Sequence, residues 1–195
     1  PKGGIARVSP IKTRRQAGFF IPFRQRPENV MKTYPAVLHL MCGKAGAGKS
    51  TLAQRLAQQP QTLLLVEDAW LATLYEQEMT SLQDYARCSD RLRRALGGHL
   101  VQLLRGGWSV ALDFPMNTPD RRRWAKALAE EAGVAHCLHF LDVSHAQCLS
   151  RITLRNARGE HPFTLSEAEF ERLAQYFVPP AEEEGMTVLR YGEQD

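Results

Sequence analysis

A short strand, a glycine-rich loop and a helix in immediate succession constrain the fold of this chain more than any other feature. The apolar run "AVLHLMC" (residues 36–42) leads into Gly43, Lys44, Ala45, Gly46, Ala47, Gly48, Lys49, Ser50 and Thr51. Helical patterning carries on from Lys49 to about Gln58, with Pro60 beyond its end. The spacing is G-x-x-x-x-G-K-[ST], in the strand-to-helix setting that gives the motif its meaning. Glycines let consecutive backbone N–H groups turn inward around phosphate oxygens, and the helix N-terminus adds partial positive charge. On this reading Lys49 reaches the β- and γ-phosphates, Ser50 ligates Mg²⁺ and Thr51 contacts the α-phosphate. ATP is the expected nucleotide, because no N-K-x-D guanine-reading signature occurs. The competing reading is a glycine-rich turn.

Strand and helix alternate through the rest of the sequence. "TLLLVED" (62–68) reads as a second buried strand ending in two acids, and residues 69–105 carry helical patterning stopped by "RGG". "WSVALDF" (108–114) is a third strand. A helix follows with Thr118 as N-cap, Pro119 at its first position and Gly133 as its stop. "VAHCLHFLDV", a helix capped at Ser144, the helix "SEAEFERLAQYF" and a last strand "MTVLRYG" complete the order. Such alternation predicts an α/β fold of three layers, a mainly parallel five-stranded sheet with helices on both faces. Ligands of such sheets sit at the carboxyl ends of the strands, where Gly43, Asp68, Asp113 and Asp142 fall.

The 195 residues suit one domain. The net charge of +4 is uneven, because residues 1–30 carry seven Lys or Arg against Glu28 alone, which leaves residues 31–195 at −2. That slightly acidic body argues against binding of long nucleic acids, which needs a basic footprint. Residues 1–30 read as a basic tail and 31–195 as the domain. Met31 is the expected native start, with an organelle transit peptide as the alternative reading of the tail. No apolar run approaches the eighteen or so residues that cross a bilayer, so no membrane association and a cytoplasmic location are expected. The four cysteines lack paired metal-ligand spacing and are expected to be reduced, and "HCLH" (136–139) is read as strand packing.

Several side chains are candidates to work with the loop. Asp113 ends an apolar strand as a Mg²⁺-fixing carboxylate does, although a turn or cap residue there looks the same. Asp68 is the candidate base for an attacking hydroxyl, with Glu67 as alternate, and a helix cap before Ala69 is the competing role for Asp68. Arg151, Arg155 and Arg158 share one helix face with no acid between Asp142 and Glu160, the pattern of a lid over residues 151–165 that closes on phosphates, or else of a plain surface face. Arg87, Arg91 and Arg94 repeat that spacing inside the 69–105 insertion, where an acceptor would bind, but Asp84 and Asp90 are near enough to pair with them. Of Arg121 to Arg123, at most one or two can face the site, and Arg123 is the candidate.

The loop "GKAGAGKST", the block "LDFPMNTPDRRRW", the Arg-rich lid and the tail "FVPPAEEEG" together resemble the small bacterial P-loop kinases grouped as AAA-domain kinases, relatives of polynucleotide kinases, zeta toxins and chloramphenicol phosphotransferases. The resemblance spans about residues 36–190 and implies a nucleoside-kinase-like fold with a helical lid. Asp113, Asn117 and Thr118 look like the D-N-T-N region of polynucleotide kinases. Carried over by position, Lys49 and Ser50 bind the nucleotide, Asp68 is the base, and one of Arg151, Arg155 and Arg158 serves the lid. Where those enzymes follow the base with a basic residue, "EDAWLATLY" supplies Trp70, Leu71 and Tyr75, so an acceptor site lined by apolar groups, for a small partly apolar molecule, is expected. The activity implied is ATP- and Mg²⁺-dependent phosphoryl transfer to a small-molecule hydroxyl. Its rivals are a 5′-hydroxyl polynucleotide kinase, a nucleotide-sugar-phosphorylating toxin, and a nucleotide-dependent switch with ATPase activity alone.

Overall fold

In the computed structural model, which describes residues 35–159 and 164–192, the expected basic tail lies outside the described residues. The chain order is β1 (Val37–Cys42), α1 (Lys49–Leu56), β2 (Thr62–Val66), α2 (Glu67–Tyr75), α3 (Leu82–Arg105), β3 (Ser109–Pro115), α4 (Pro119–Ala132), β4 (Ala135–Leu141), α5 (His145–Arg158), α6 (Glu167–Gln175) and β5 (Val188–Tyr191), with 3₁₀ turns at Glu76–Glu78 and Glu182–Glu184. The strands form one five-stranded sheet in the order β2-β3-β1-β4-β5, and every pairing is parallel.

Alternation along β1 builds the two interior layers. Leu38, Leu40 and Cys42 point to one face and pack with Leu71, Leu92, Leu100 and Ala125 from α2, α3 and α4. Met41 points to the other and packs with Leu52, Ala53, Ile152 and Phe170 from α1, α5 and α6. Both faces are therefore covered, which is why the strands read as nearly unbroken apolar runs. Among the described residues no helix is long and apolar enough to cross a membrane.

The expected caps form. Thr118 Oγ1 accepts from the Arg121 N–H, Ser144 Oγ from the Gln147 N–H, and Gly133 ends α4 in the left-handed conformation. One boundary differs from the expectation. Strand β2 stops at Val66, which is the N-cap, and Glu67 and Asp68 are the first residues of α2 rather than the end of a strand. Asp68 is therefore not a cap. Two acids suit a helix's first turn, where the peptide dipoles favour negative charge. Asp142 follows β4 as expected but is engaged by Arg190 Nε at 3.0 Å.

On the α1-facing side of the sheet, His139 is 2% exposed and links His39 Nδ1 (3.1 Å) to the Tyr191 hydroxyl (2.7 Å), in keeping with a packing role for "HCLH". Burial, reinforced by His39, pulls the His139 pKa down from 6.5 to about 4. The unfolded chain then takes up a proton at a pH where the native one refuses it. Stability should fall as the pH drops from about 6.5 toward 4. In His139→Gln, which keeps polar atoms but does not titrate, urea midpoints measured across that window should fall less steeply.

Candidate functional site

The loop after β1 closes tightly because glycine leaves room for neighbouring backbone. A Cβ on Gly43 would come within 2.8 Å of Leu141 O, and one on Gly46, whose φ is +77°, within 2.5 Å of Cys148 O. The loop therefore presses against β4 and α5 at two points where no side chain fits. The Gly43 N–H donates to Asn117 Oδ1 at 3.0 Å, while residues 44–51 line a cavity of about 1500 Å³. Lys49 Nζ donates to the carbonyls of Gly43 and Lys44, both at 2.8 Å. Burial lowers its pKa, and the Asp113 carboxylate is the leading charge acting the other way.

The strand order brings Asp113 here. β3 lies beside β1, so Asp113, 9% exposed, stands across from the first turn of α1, where Ser50 is exposed. A hydroxyl and a carboxylate at the mouth of a glycine cradle form the hard-oxygen donor set that suits Mg²⁺. Lys49 and the cradle suit a phosphate chain, so the residues present fit both groups.

Asp68 lines the same cavity together with Met79, Leu82, Tyr85 and Ala86, at and just before the start of α3, and its charge acts on Lys49 and Arg155. The Tyr85 hydroxyl donates to Glu67 Oε2 at 3.0 Å and to Asp68 Oδ1 at 3.3 Å. Burial and the two carboxylates hold the Tyr85 pKa well above its usual value, so the phenol stays a donor. Glu67 is fully buried and also accepts from Ser89 Oγ at 2.5 Å. It anchors neighbours and does not line the cavity, and its burial raises its pKa.

Helix α5, the expected lid, brings two of its three arginines to the cavity. Arg151 and Arg155 line the cavity, and Arg151 Nη1 donates to Ala47 O at 3.4 Å. Arg155 is half-buried, its pKa is lowered by burial with Asp68 acting in the opposite sense, and its Nε is buried with no hydrogen-bond partner among the described residues. Arg158 is exposed at the last position of α5, one turn beyond the cavity wall. Asn156 ties the end of α5 to α6 by donating to Leu165 O at 2.7 Å, while residues 160–163 of the expected lid lie outside the described residues.

The acceptor-side expectations need correction. Trp70 is 41% exposed, turned about 200° from Asp68 in a helix beginning at Glu67, and Leu71 is fully buried in the core, so neither lines the cavity. Arg87 is paired with Asp84 and Glu78, and Arg91 with Glu78, all outside the cavity. Arg123 is exposed and paired with Asp120. The arginine of that block that reaches the cavity is Arg121. Arg122 is fully buried, with Nε and Nη2 each 2.6 Å from a Glu184 oxygen and Nη1 donating to Met116 O and Val178 O. It shares the apolar stripe of Ala125 and Ala129, a signal that was available in the sequence.

Arg122 thereby clamps the segment after α6, placing Phe177 under Lys44 and directing the Val178 N–H to Asn117 O. Removing the partner of a buried cation is costly. Glu184→Ala should lose about 3 kcal/mol in urea unfolding, near the lower end for such pairs because Glu184 keeps some solvent contact. Glu182→Ala, a few residues away and exposed, should change stability by under about 0.5 kcal/mol.

Comparison with known proteins agrees with this architecture. No curated protein matches the chain in sequence. A protein of Chloroflexus aurantiacus described as a candidate kinase is similar in structure at 21% identity, with a TM-score of 0.64 over 81% of this chain and 85% of its own. The APS kinase of Mycobacterium tuberculosis, solved with AMPPNP and APS, is similar at 19% identity and a TM-score of 0.56 over 83% and 90%. A gluconokinase of Sinorhizobium meliloti is similar at 15% and 0.52 over 80% and 83%. At such identities these likenesses establish a shared three-layer fold. A family model described as AAA domain matches residues 38–180, most of the sequence, and the chain belongs to that AAA-domain family.

Proposed function

We propose that this protein is an ATP- and Mg²⁺-dependent kinase that transfers the γ-phosphoryl group to a hydroxyl of a small molecule. The observation that carries this reading is that the cavity lined by the glycine-rich loop is also lined by Asp68 and the start of α3. A nucleotide switch needs only the part at the loop. The similar structures named APS kinase and gluconokinase favour a small acceptor.

In this mechanism the backbone of residues 44–51 and Lys49 hold the phosphate chain. Ser50 and Asp113 would hold Mg²⁺, which supplies charge neutralisation at the phosphate oxygens. Arg151 and Arg155 close from the lid side on the charge of the transferring group. Asp68 orients the acceptor hydroxyl and takes its proton as the new oxygen–phosphorus bond forms and the bond to the β-phosphate oxygen breaks. The four cysteines are all free, which suits a reducing compartment such as the cytoplasm.

The test is to incubate the protein with MgATP and a metabolite extract and to search by mass spectrometry for a species that gains one phosphate, with a 5′-hydroxyl oligonucleotide offered in parallel. A phosphorylated small product confirms the reading. Efficient transfer to the oligonucleotide alone would replace it with the polynucleotide activity, and ATP turnover without any product would replace it with the switch.

A further inference from the structure

We infer that the acceptor is itself an oxyanion, a phosphate ester or carboxylate of a small alcohol, and that Arg121 receives its charged group; this inference rests on the kinase reading above. Arg121 is the single cation among the described cavity-lining residues contributed by α2, α3, β3, α4 and the loops before α3 and α4. The other lysines and arginines of the cavity come from the phosphate loop, α1, α5 and α6. Its side chain is 18% exposed.

The way Arg121 is held differs from a close, hydrogen-bonded ion pair. Its neighbour Arg122 meets Glu184 with two bonds of 2.6 Å, as a guanidinium does when its purpose is to neutralise a carboxylate. Arg121 instead approaches the buried Glu67 only to 4.0 Å and makes no hydrogen bond to it. It is fixed by neutral groups, with Nη1 donating to Pro115 O at 3.1 Å and Nη2 to Ser89 Oγ at 3.3 Å. Ser89 in turn donates to Glu67. A guanidinium has five N–H donors, and two bonds to neutral acceptors leave three for a ligand. The Glu67 carboxylate at 4.0 Å offsets part of the charge without taking a hydrogen bond, and an arriving oxyanion would supply the close, hydrogen-bonded pairing that Glu67 does not. Rigid support by a carbonyl and a buried hydroxyl network also fixes the fork in advance, as an anion-binding site requires.

The same network fixes the distance to the chemistry. From Arg121 Nη1 through Glu67 Oε2 and the Tyr85 hydroxyl to Asp68 Oδ1, successive contacts are 4.0, 3.0 and 3.3 Å. One small molecule can therefore place an anionic group on Arg121 and a hydroxyl at Asp68. Without Arg121, Asp68 and Asp113 would repel such a compound. The apolar side chains of Met79, Leu82 and Ala86 between them account for a carbon skeleton between the two polar ends.

The experiment uses the full chain, γ-labelled ATP and a metabolite extract cleared of nucleic acid by ultrafiltration, then split by anion exchange into a flow-through and a retained acidic fraction. A labelled product should form from the acidic fraction. Arg121→Gln should lower kcat/KM for that fraction about 100-fold while still binding MgATP, which shows that it folds, and Arg121→Lys should fall between. Pretreating the acidic fraction with alkaline phosphatase, then removing the enzyme, distinguishes the two sources. Loss of the product identifies a phosphate ester and survival a carboxylate. A product from the flow-through alone overturns the anionic acceptor and leaves the kinase intact. Equal activity of Arg121→Gln overturns the role of Arg121, and no product from either fraction withdraws the kinase reading together with this inference.

Discussion

Arg155→Met should lower kcat by about 10³-fold or more while leaving the free protein as stable as before or slightly more so. Both halves follow from the state of the guanidinium. It is half-buried, burial lowers its pKa, and its Nε has no hydrogen-bond partner among the described residues. A methionine of similar length keeps the packing without the desolvation cost, so urea unfolding should show no loss. The orphaned N–H acquires a use only when charge gathers on the transferring phosphoryl group, and the penalty of the substitution therefore falls on the rate. Arg151 already spends a donor on Ala47 O and is more exposed, so Arg151→Met should cost less. Arg158→Met should stay within about twofold, in the range of a solvated side chain. Measuring kcat at saturating MgATP beside urea midpoints for the three variants tests the ranking. An Arg155→Met enzyme within tenfold of the parent would show that the lid arginine is a surface charge.

How far the sequence foretold this site depends on which kind of spacing was read. The glycine-rich loop is a local arrangement, and its place between β1 and α1 could be read because strand, loop and helix are contiguous. The caps at Thr118, Ser144 and Gly133 were legible for the same reason. Strand order was not. β2 follows β1 in the chain, but β3 lies between them, so Asp113 rather than Asp68 adjoins the loop. The helix boundary was a source of error. With α2 starting at Glu67 rather than near Ala69, Trp70 turns to solvent and Leu71 into the core, and the cavity wall near Asp68 comes from residues 79–86, which carry no motif. Among Arg121, Arg122 and Arg123 the i, i+3, i+7 stripe with Ala125 and Ala129 assigns the middle residue to the interior. The choice between the remaining two depended on a contact with Ser89, which is 32 residues away in the chain. Such long-range pairings leave no periodic trace.

Asp68→Asn should reduce kcat by about 10²- to 10⁴-fold with little change in MgATP affinity, since Asp68 stands on α2 and is not part of the phosphate loop. The amide keeps the size of the carboxylate, and its oxygen can still accept the Tyr85 hydroxyl now 3.3 Å from Asp68 Oδ1, so positioning of the wall survives. What disappears is the capacity to take a proton. The transition state of phosphoryl transfer is loose, and the hydroxyl gives up its proton late, which places the expected loss toward the lower end of the range. Tyr85→Phe removes one stabilising bond and leaves the base in place, so its kcat should fall far less than that of Asp68→Asn. The diagnostic is the split between binding and turnover. MgATP affinity of Asp68→Asn should stay within about twofold of the parent while kcat falls, and its residual rate reflects positioning by Lys49, Arg151 and Arg155. An Asp68→Asn enzyme that keeps a kcat within tenfold of the parent would assign the proton to another acceptor, and Asp113 would be the next carboxylate to substitute.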